Sequence, residues 1–543
     1  MRSFLICLII TLCSFAGKCS EKVDFYWTDT PQQQAWKGEK INGRARINSS
    51  TDIRSAKLRA SALRSGCNKI GSSAVRVCFI TDVIGDRFVP GYGQCGKRVP
   101  SDSTMIVVAD RLGGEKKMSI ASCKGQDIWI DVKIPRDAVP GVYEGSISVR
   151  TGIFRRTRIE YTVEVADETL PEPRDWEFDL NLWQNPFSVA RYYGDELWSR
   201  EHFEHMRPLM ERLRDAGQKA ITTSIIRHPW NGQTEDPFET MVTKTLNEDG
   251  TWSYDYSIFD KWVEFMMDLG IDERIDCFSI LPWHMTFEYI DGASGELKGL
   301  TAAATSEEFA GYWSSLVKDF AAHLREKGWF DRTMIALDER QPEEMTAAIN
   351  LVRSVVPDFK FSLAGWYSDK LAYDFDYLCI SSTQEFPEDV RAIRRDKGMV
   401  STYYVCCGER YPNTFIASDP DEAVWLGWYA FAHHFDGFLR WSYNSWTADP
   451  LDARFRSWTA GDCHIVYPEA SSVRFEKLTE GIQDYEKARI LCERWKKEGR
   501  AEKISALEEA LKLFEISRLG SNGAAEGLDA AKAAIMDCRT GSR

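Results

Sequence analysis

A chain of 543 residues is too long for a single core of ordinary size, so two or three domains are expected. Its 82 acidic against 68 basic residues give a net charge of −14, which excludes a surface built to hold nucleic-acid phosphates and disfavours an anionic membrane surface. Hydrophobic (43%) and charged (28%) contents are those of a globular protein and select no substrate.

The first residues, "MRSFLICLIITLCSFAGKCS", place Arg2 before an apolar run from Phe4 to Leu12, followed by the small residues Ser14 and Ala16. This is the pattern of a secretory signal peptide within residues 1–20, with cleavage expected after Ala16. The apolar run is short for a bilayer span. The expected location is periplasmic or extracellular; a lipid anchor on Cys19 is the alternative, although Lys18 fits such a site poorly. Export permits disulfides. Of 14 cysteines, Cys67, Cys78, Cys95 and Cys123 cluster in the N-terminal part, where one or two bridges are expected in any of three connectivities.

Residues 21–170 read as an antiparallel β-sandwich. "SAVRVCFITDVI", "TMIVVAD", "QDIWIDVKIP", "GVYEGSISVRT" and "RRTRIEYTVEVAD" alternate apolar and polar residues between Gly and Pro turns. "DETLPEPRDW" then reads as a linker. From 171 to 485 strands alternate with amphipathic helices. The strands are "EFDLNLWQN", "KAITTSIIRHPW", "RIDCFSILPW", "RTMIALDER", "FKFSLAGWY", "YLCISSTQ", "VSTYYVCCG" and "GFLRWSYNSW". Eight such units predict a (β/α)8 barrel, and no strand is followed by the glycine-rich loop of an open nucleotide-binding sheet. "VTKTLNEDGTWSYDYS" interrupts the second unit as a hairpin, and residues 486–543 read as a helical C-terminal region.

Active sites of such barrels form at the carboxyl ends of the strands. Those ends carry Trp183, Gln184 and Asn185; His228 and Trp230; Trp283 and His284; Asp338 and Glu339; Trp366 and Tyr367; Tyr403 and Tyr404; and Trp441, Tyr443, Asn444 and Trp446. Each ring taken alone is equally a core residue by type. Together they suit a sugar, which presents apolar C–H faces and polar edges. No C-x-x-C or H-E-x-x-H spacing occurs, so neither a metal site nor any cofactor is expected. His202 and His205 are expected on a helix surface, and His433–His434 at a helix end. Cys406 and Cys407 offer a thiol nucleophile as a weaker alternative.

The adjacent carboxylates in "ALDER" are chemically unusual. Ordinary glycosidases set two carboxylates on opposite sides of the scissile bond, about 5–5.5 Å apart for retention, whereas neighbouring residues approach a sugar from one flank. Hydrolysis assisted by the sugar's own 2-acetamido group suits neighbours: one carboxylate orients the amide and the other protonates the leaving oxygen.

With these residues in view, the chain resembles glycoside hydrolase family 123, the β-N-acetylgalactosaminidases. The resemblance lies in "NLWQNPFSVARYY", "AGQKAITTSIIRHPW", "EDGTWSYDY", "ALDER", "GFLRWSYNSW" and "GDCHIVYPEASSVRFEKLTEGIQDYE". It implies an N-terminal β-sandwich, a (β/α)8 catalytic barrel and retaining, acetamido-assisted release of terminal β-linked N-acetylgalactosamine from a glycan. Asp338 would orient the amide and Glu339 would serve as general acid/base. Gln184, Asn185, Trp283, His284, Trp366, Tyr367, Tyr403, Trp441, Tyr443, Asn444, Trp446 and Arg474 would line the substrate site. Arg474 and Glu476, in "SVRFE", are alternatively a structural ion pair. A hexosaminidase for another 2-acetamido sugar and a non-catalytic glycan-binding protein are the competing readings.

Overall fold

The computed structural model describes residues 23–88, 101–152, 155–456 and 458–536. The signal region, with Cys7, Cys13 and Cys19, and also Cys95 lie outside them. The N-terminal part is a β-sandwich. One sheet runs, in spatial order, Val23–Trp27, Lys40–Ser49, Gly125–Lys133 and Val75–Phe79, all antiparallel. The facing sheet runs Lys117–Ile120, Ile53–Ala60, Gly141–Arg150, Arg156–Thr169 and Gln32–Lys37 along its main path. Its last pair is parallel, a departure from the expected all-antiparallel pattern. Inward residues at alternate positions, such as Ala45 with Ile47 and Val163 with Val165, form the sandwich core.

Two segments expected in the sandwich leave it. "SAVRVCFITDVI" breaks at Ile80, and Thr81–Asp86 pairs with Met105–Leu112, which in turn pairs with Ser471–Ser472 from the far end of the chain. This small third sheet docks the sandwich on the barrel.

Eight parallel strands form the barrel: β1 (Asp179–Leu182), β2 (Ala220–Ser224), β3 (Arg274–Phe278), β4 (Thr333–Leu337), β5 (Lys360–Gly365), β6 (Tyr377–Ser381), β7 (Val400–Tyr404) and β8 (Gly437–Arg440). They lie in chain order around the sheet, with β8 against β1. Covered on both faces, these strands are buried at nearly every position. Between β1 and β2 the backbone ladder shrinks to an isolated bridge, Leu180 with Gln218. Two buried carboxamides complete the seam. Gln218 accepts from the Leu182 N–H at 2.9 Å and donates to the Ala220 carbonyl at 2.7 Å. Gln184 accepts from the Thr222 N–H at 2.9 Å and donates to the Leu182 carbonyl.

Helices follow seven of the strands. The connection from β5 to β6, 366–376, contains turns and no helix, so the regular eightfold alternation is broken there. Hairpins from the second and third units, Thr243–Leu246 with Trp252–Asp255 and Thr286–Asp291 with Leu297–Thr301, join into one sheet. The buried Lys244–Glu288 pair at 2.6 Å locks it. Val473–Glu498 is one continuous helix, so the boundary expected at 485 falls within it; three shorter helices follow, Ala501–Leu511, Ile516–Asn522 and Ala525–Ile535.

The cysteines and histidines differ from expectation. Cys67, Cys78 and Cys123 are free: Cys78 points into the core, and the other two are exposed at turns. Cys407 is disulfide-bonded. His202 is fully buried, not on the surface, because Nε2 contacts the Pro186 carbonyl at 2.9 Å while Nδ1 accepts from the Trp198 N–H at 3.1 Å.

The start of helix Val473–Glu498 clamps the two domains. Arg474, 3% exposed, donates from Nε to Asp110 of the docking sheet at 2.9 Å. Glu476 pairs with Lys40 and, at 3.1 Å, with Arg76, and Arg76 also holds Asp131 at 2.6 Å. Burial opposes the charge on Glu476, but Lys40 and Arg76 hold its carboxyl well below the usual range. Arg474→Ala strands Asp110 in a dry interface, so equilibrium denaturation should show a loss of about 3–5 kcal/mol. An unchanged midpoint would mean that the clamp is solvated.

Candidate active site

β4 delivers the two acids. Its apolar run ends at Leu337, whose register partner is Leu363 on β5, and helix Pro342–Val355 starts just beyond Gln341. Pro342 at the first helical position and the Arg340–Glu344 pair at 3.1 Å fix this short turn.

The two carboxylates are held by different partners. Asp338 Oδ2 accepts from the Trp283 indole N–H at 3.0 Å, on the loop after β3. Glu339 Oε1 accepts from the Tyr404 hydroxyl at 2.5 Å, at the end of β7. One acid is therefore tied to the third strand's side of the mouth and the other to the seventh's, although they are chain neighbours. Burial, and then the neighbouring Glu339, push the Asp338 carboxyl up to about 7; the Trp283 N–H and Arg340 oppose this without cancelling it. Burial also raises Glu339, with the Tyr404 hydroxyl opposing and Glu409 adding to the rise. Two acids at one half-dry mouth, both with raised proton affinity, form a site that holds a proton near neutral pH.

Three rim aromatics keep free ring surface: Trp283 is 38% exposed and Trp366 45%, and Trp441 is half-buried with its indole N–H on Asp462 at 3.2 Å. Tyr367 is half-buried beside Trp366, its hydroxyl on Asp369 at 2.7 Å.

Other sequence candidates are corrected. Gln184 seals the β1–β2 seam. Asn185 caps helix Pro186–Tyr193, and the Asn444 carboxamide accepts from the Asn185 backbone N–H and donates to its carbonyl; both residues are fully buried. Tyr403, Tyr443 and Trp446 are core residues. Their polar atoms donate to the carbonyls of Leu426 (2.7 Å), Leu209 (2.9 Å) and Val466 (2.9 Å). His284 uses both ring nitrogens to brace its loop, against Arg227 and Thr286. Arg474 belongs to the domain clamp. Tyr404, not Tyr403, faces the acids. Burial pushes the Cys406 thiol up, away from the thiolate form that a nucleophile needs.

The arrangement of an eight-stranded barrel, a docked sandwich and a carboxylate pair can now be compared with known proteins. The model of the glycoside hydrolase 123 catalytic domain matches residues 183–491, and that of the glycoside hydrolase 123 N-terminal domain matches residues 20–151. The chain belongs to glycoside hydrolase family 123. A family 123 glycoside hydrolase from Clostridium perfringens, whose structure was described for glycolipid glycan hydrolysis, superposes with a TM-score of 0.85. It is 25% identical, over 95% of this chain and 97% of its own. A candidate glycoside hydrolase from Bacteroides vulgatus aligns at 12% identity over 86% of this chain and 79% of its own; its TM-score of 0.31 carries no functional weight. No curated protein sequence matches the chain.

For this family 123 enzyme the raised Asp338 carboxyl has a stability consequence. Between about 3.8, its ordinary value, and about 7, the folded state holds a proton that the unfolded chain has lost. Ionising Asp338 therefore costs the fold stability as pH rises through this window. Asp338→Asn removes that cost. Its stability relative to wild type should be level near pH 4 and grow toward pH 8, on the order of 2 kcal/mol after allowance for partial exposure. Parallel melting curves across pH would show that Asp338 ionises freely.

Proposed function

We propose that this glycoside hydrolase is an exported exo-enzyme that releases terminal β-linked N-acetylgalactosamine by acetamido-assisted, retaining hydrolysis. The observation that carries this reading is the split hold on two neighbouring acids, Asp338 by Trp283 and Glu339 by Tyr404. Two adjacent side chains cannot readily straddle an anomeric carbon, as a nucleophile and an acid must. They can serve the two ends of one departing sugar residue: its 2-acetamido group and its glycosidic oxygen.

In the first step the acetamido oxygen donates a lone pair to C1 and the C1–O bond breaks. The electron pair leaves with the glycosidic oxygen, which takes the proton of Glu339. Asp338, as a carboxylate, accepts the amide N–H and offsets the positive charge of the closing oxazolinium ring. In the second step Glu339 takes a proton from water, the water oxygen bonds to C1, and the ring opens with retained configuration. The substrate amide also decides which acid holds the proton. Its N–H stabilises the Asp338 anion, while exclusion of water by the bound sugar favours protonated Glu339. The aromatic surfaces of Trp283, Trp366 and Trp441 supply sugar contacts. Export rests on the N-terminal signal pattern, and a glycolipid glycan is the first natural substrate to try.

Glu339→Gln should lower turnover of glycosides with poor leaving groups by about 10²–10⁴-fold. Aryl glycosides with acidic phenols should lose less, and equal losses would remove Glu339 from the acid role. Asp338→Asn should cost kcat about 10²–10³-fold on p-nitrophenyl N-acetylgalactosaminide. The same variant should bind a thiazoline mimic of the closed ring poorly, and the 2-hydroxy analogue of the substrate should be nearly inert with wild type. Covalent trapping of a 2-fluoro sugar on either carboxylate would overturn the mechanism. Parallel assay of the galacto and gluco p-nitrophenyl substrates fixes the sugar.

A further inference from the structure

A third carboxylate belongs to the same mouth. Glu409, in the loop after β7, is only 7% exposed. Its Oε1 accepts from Ser382 Oγ at 2.9 Å and Ser381 Oγ at 3.2 Å, and its Oε2 accepts from the Cys406 N–H at 3.0 Å. All these donors are neutral. Arg440 pairs with Asp462 at 3.0 Å and reaches this loop through Asn413, whose Nδ2 donates to the Glu409 backbone carbonyl at 2.9 Å.

The placement ties Glu409 to the acid pair. Ser381 ends β6 and is the register partner of Tyr404, which ends β7. The Ser382 N–H donates to the Tyr404 carbonyl at 3.0 Å. Glu409 is thus held at the strand ends from which the Tyr404 hydroxyl reaches Glu339. Its charge adds to the upward push on the Glu339 carboxyl. Other groups face this region. Asp338 lies beside Glu339 in sequence, Arg340 acts on Asp338 while paired to Glu344, and Asp462 is countered by Arg440. Burial raises both the Tyr404 hydroxyl and the Cys406 thiol, which leaves them neutral.

Resting on the acid/base reading of Glu339, we propose that Glu409 is a positioning residue for the hydrolysis, a fixed buried charge that keeps the proton on Glu339 until the glycosidic oxygen takes it. Glu409 suits this task because its hydrogen bonds to Ser381, Ser382 and the Cys406 N–H hold its carboxyl group in one place. The substrate's transient positive charge promotes proton release during ring closure, while Glu409 sets the pH up to which Glu339 is loaded at the start.

The test is the pH dependence of kcat/KM on one phenyl 2-acetamido glycoside, for wild type, Glu409→Gln, Glu409→Asp and Glu339→Gln. Glu409→Gln keeps the shape and its partners: the carboxamide can give N–H to the serine oxygens and accept from the Cys406 N–H. Losing the charge lowers the proton affinity of Glu339, so the alkaline limb should move toward acid by about one pH unit. Glu409→Asp should keep the wild-type limb, and the melting temperature should not track the limb. An unmoved limb in folded Glu409→Gln, or an equal loss at every pH, overturns the proposal. If Glu409→Gln does not melt cooperatively, the Ser381→Ala/Ser382→Ala double variant is read instead: weaker support for the charge should move the limb the same way, and no movement overturns the proposal. Glu339→Gln should lose the limb altogether. If it keeps the limb, the acid/base reading fails and the Glu409 proposal fails with it. If it loses the limb while Glu409→Gln keeps it, only the Glu409 proposal fails.

Discussion

Two carboxylates on successive residues cannot escape one another. Their Cα atoms are held about 3.8 Å apart, and at a half-dry barrel mouth the like charges cannot both form without cost. Much of the local architecture answers this constraint. Trp283 draws Asp338 toward the third strand's loop, and Tyr404 draws Glu339 toward the end of the seventh. Burial raises the proton affinity of both acids, and the neighbouring Glu339 adds to the rise on Asp338. For a stabilising role that would be a defect; for acid/base chemistry near neutral pH it is the required condition.

The barrel's closure serves the same end. Sites assembled from the ends of several strands tolerate little looseness, since small misplacements are costly in rate. Here the β1–β2 seam has little backbone pairing, and Gln184 and Gln218 replace it with side-chain amides. On the other flank of β1, Asn185 and Asn444 bind each other across the ends of β1 and β8. These four amides lie where sugar-binding amides would be sought, yet their hydrogen bonds are used by the barrel itself.

This explains what could be read from the sequence and what could not. All eight strands were legible because parallel barrel strands are short apolar runs bounded by turns, and the acid pair was legible because it directly follows one of them. The aromatic rim was not legible residue by residue. Consecutive strand residues point to opposite sides, so Tyr403 and Tyr404 have opposite fates, and the phase is set by packing that no local pattern contains. Trp446 and Trp283 look alike as rim residues, but one indole N–H finds a buried carbonyl and the other finds Asp338. Glu409 gave no signal at all: "CCGERYPN" has neither periodicity nor a motif, and only the fold brings it to Ser381 and Ser382. The exit of Thr81–Asp86 and Met105–Leu112 from the sandwich was equally hidden, because their partner strand lies at Ser471–Ser472.

"SVRFE" matters to this enzyme although Arg474 is remote in role from the sugar. Besides Asp110, its guanidinium donates to the carbonyls of Thr414 (2.7 Å), Gly461 (3.2 Å) and His464 (3.1 Å), which belong to the loops after β7 and β8. Arg440 binds the same Gly461 carbonyl and Asp462, and through Asn413 it steadies the segment bearing Cys406 and Glu409. Asp462 in turn holds the Trp441 indole at the rim. The loops after β7 and β8 are thus pinned from behind by two buried arginines, one of them anchored on Asp110 of the docking sheet. In this arrangement the sandwich needs no sugar contact of its own to matter for hydrolysis. Its link to the barrel runs through Lys40 and Arg76, which pair with Glu476 two residues beyond Arg474.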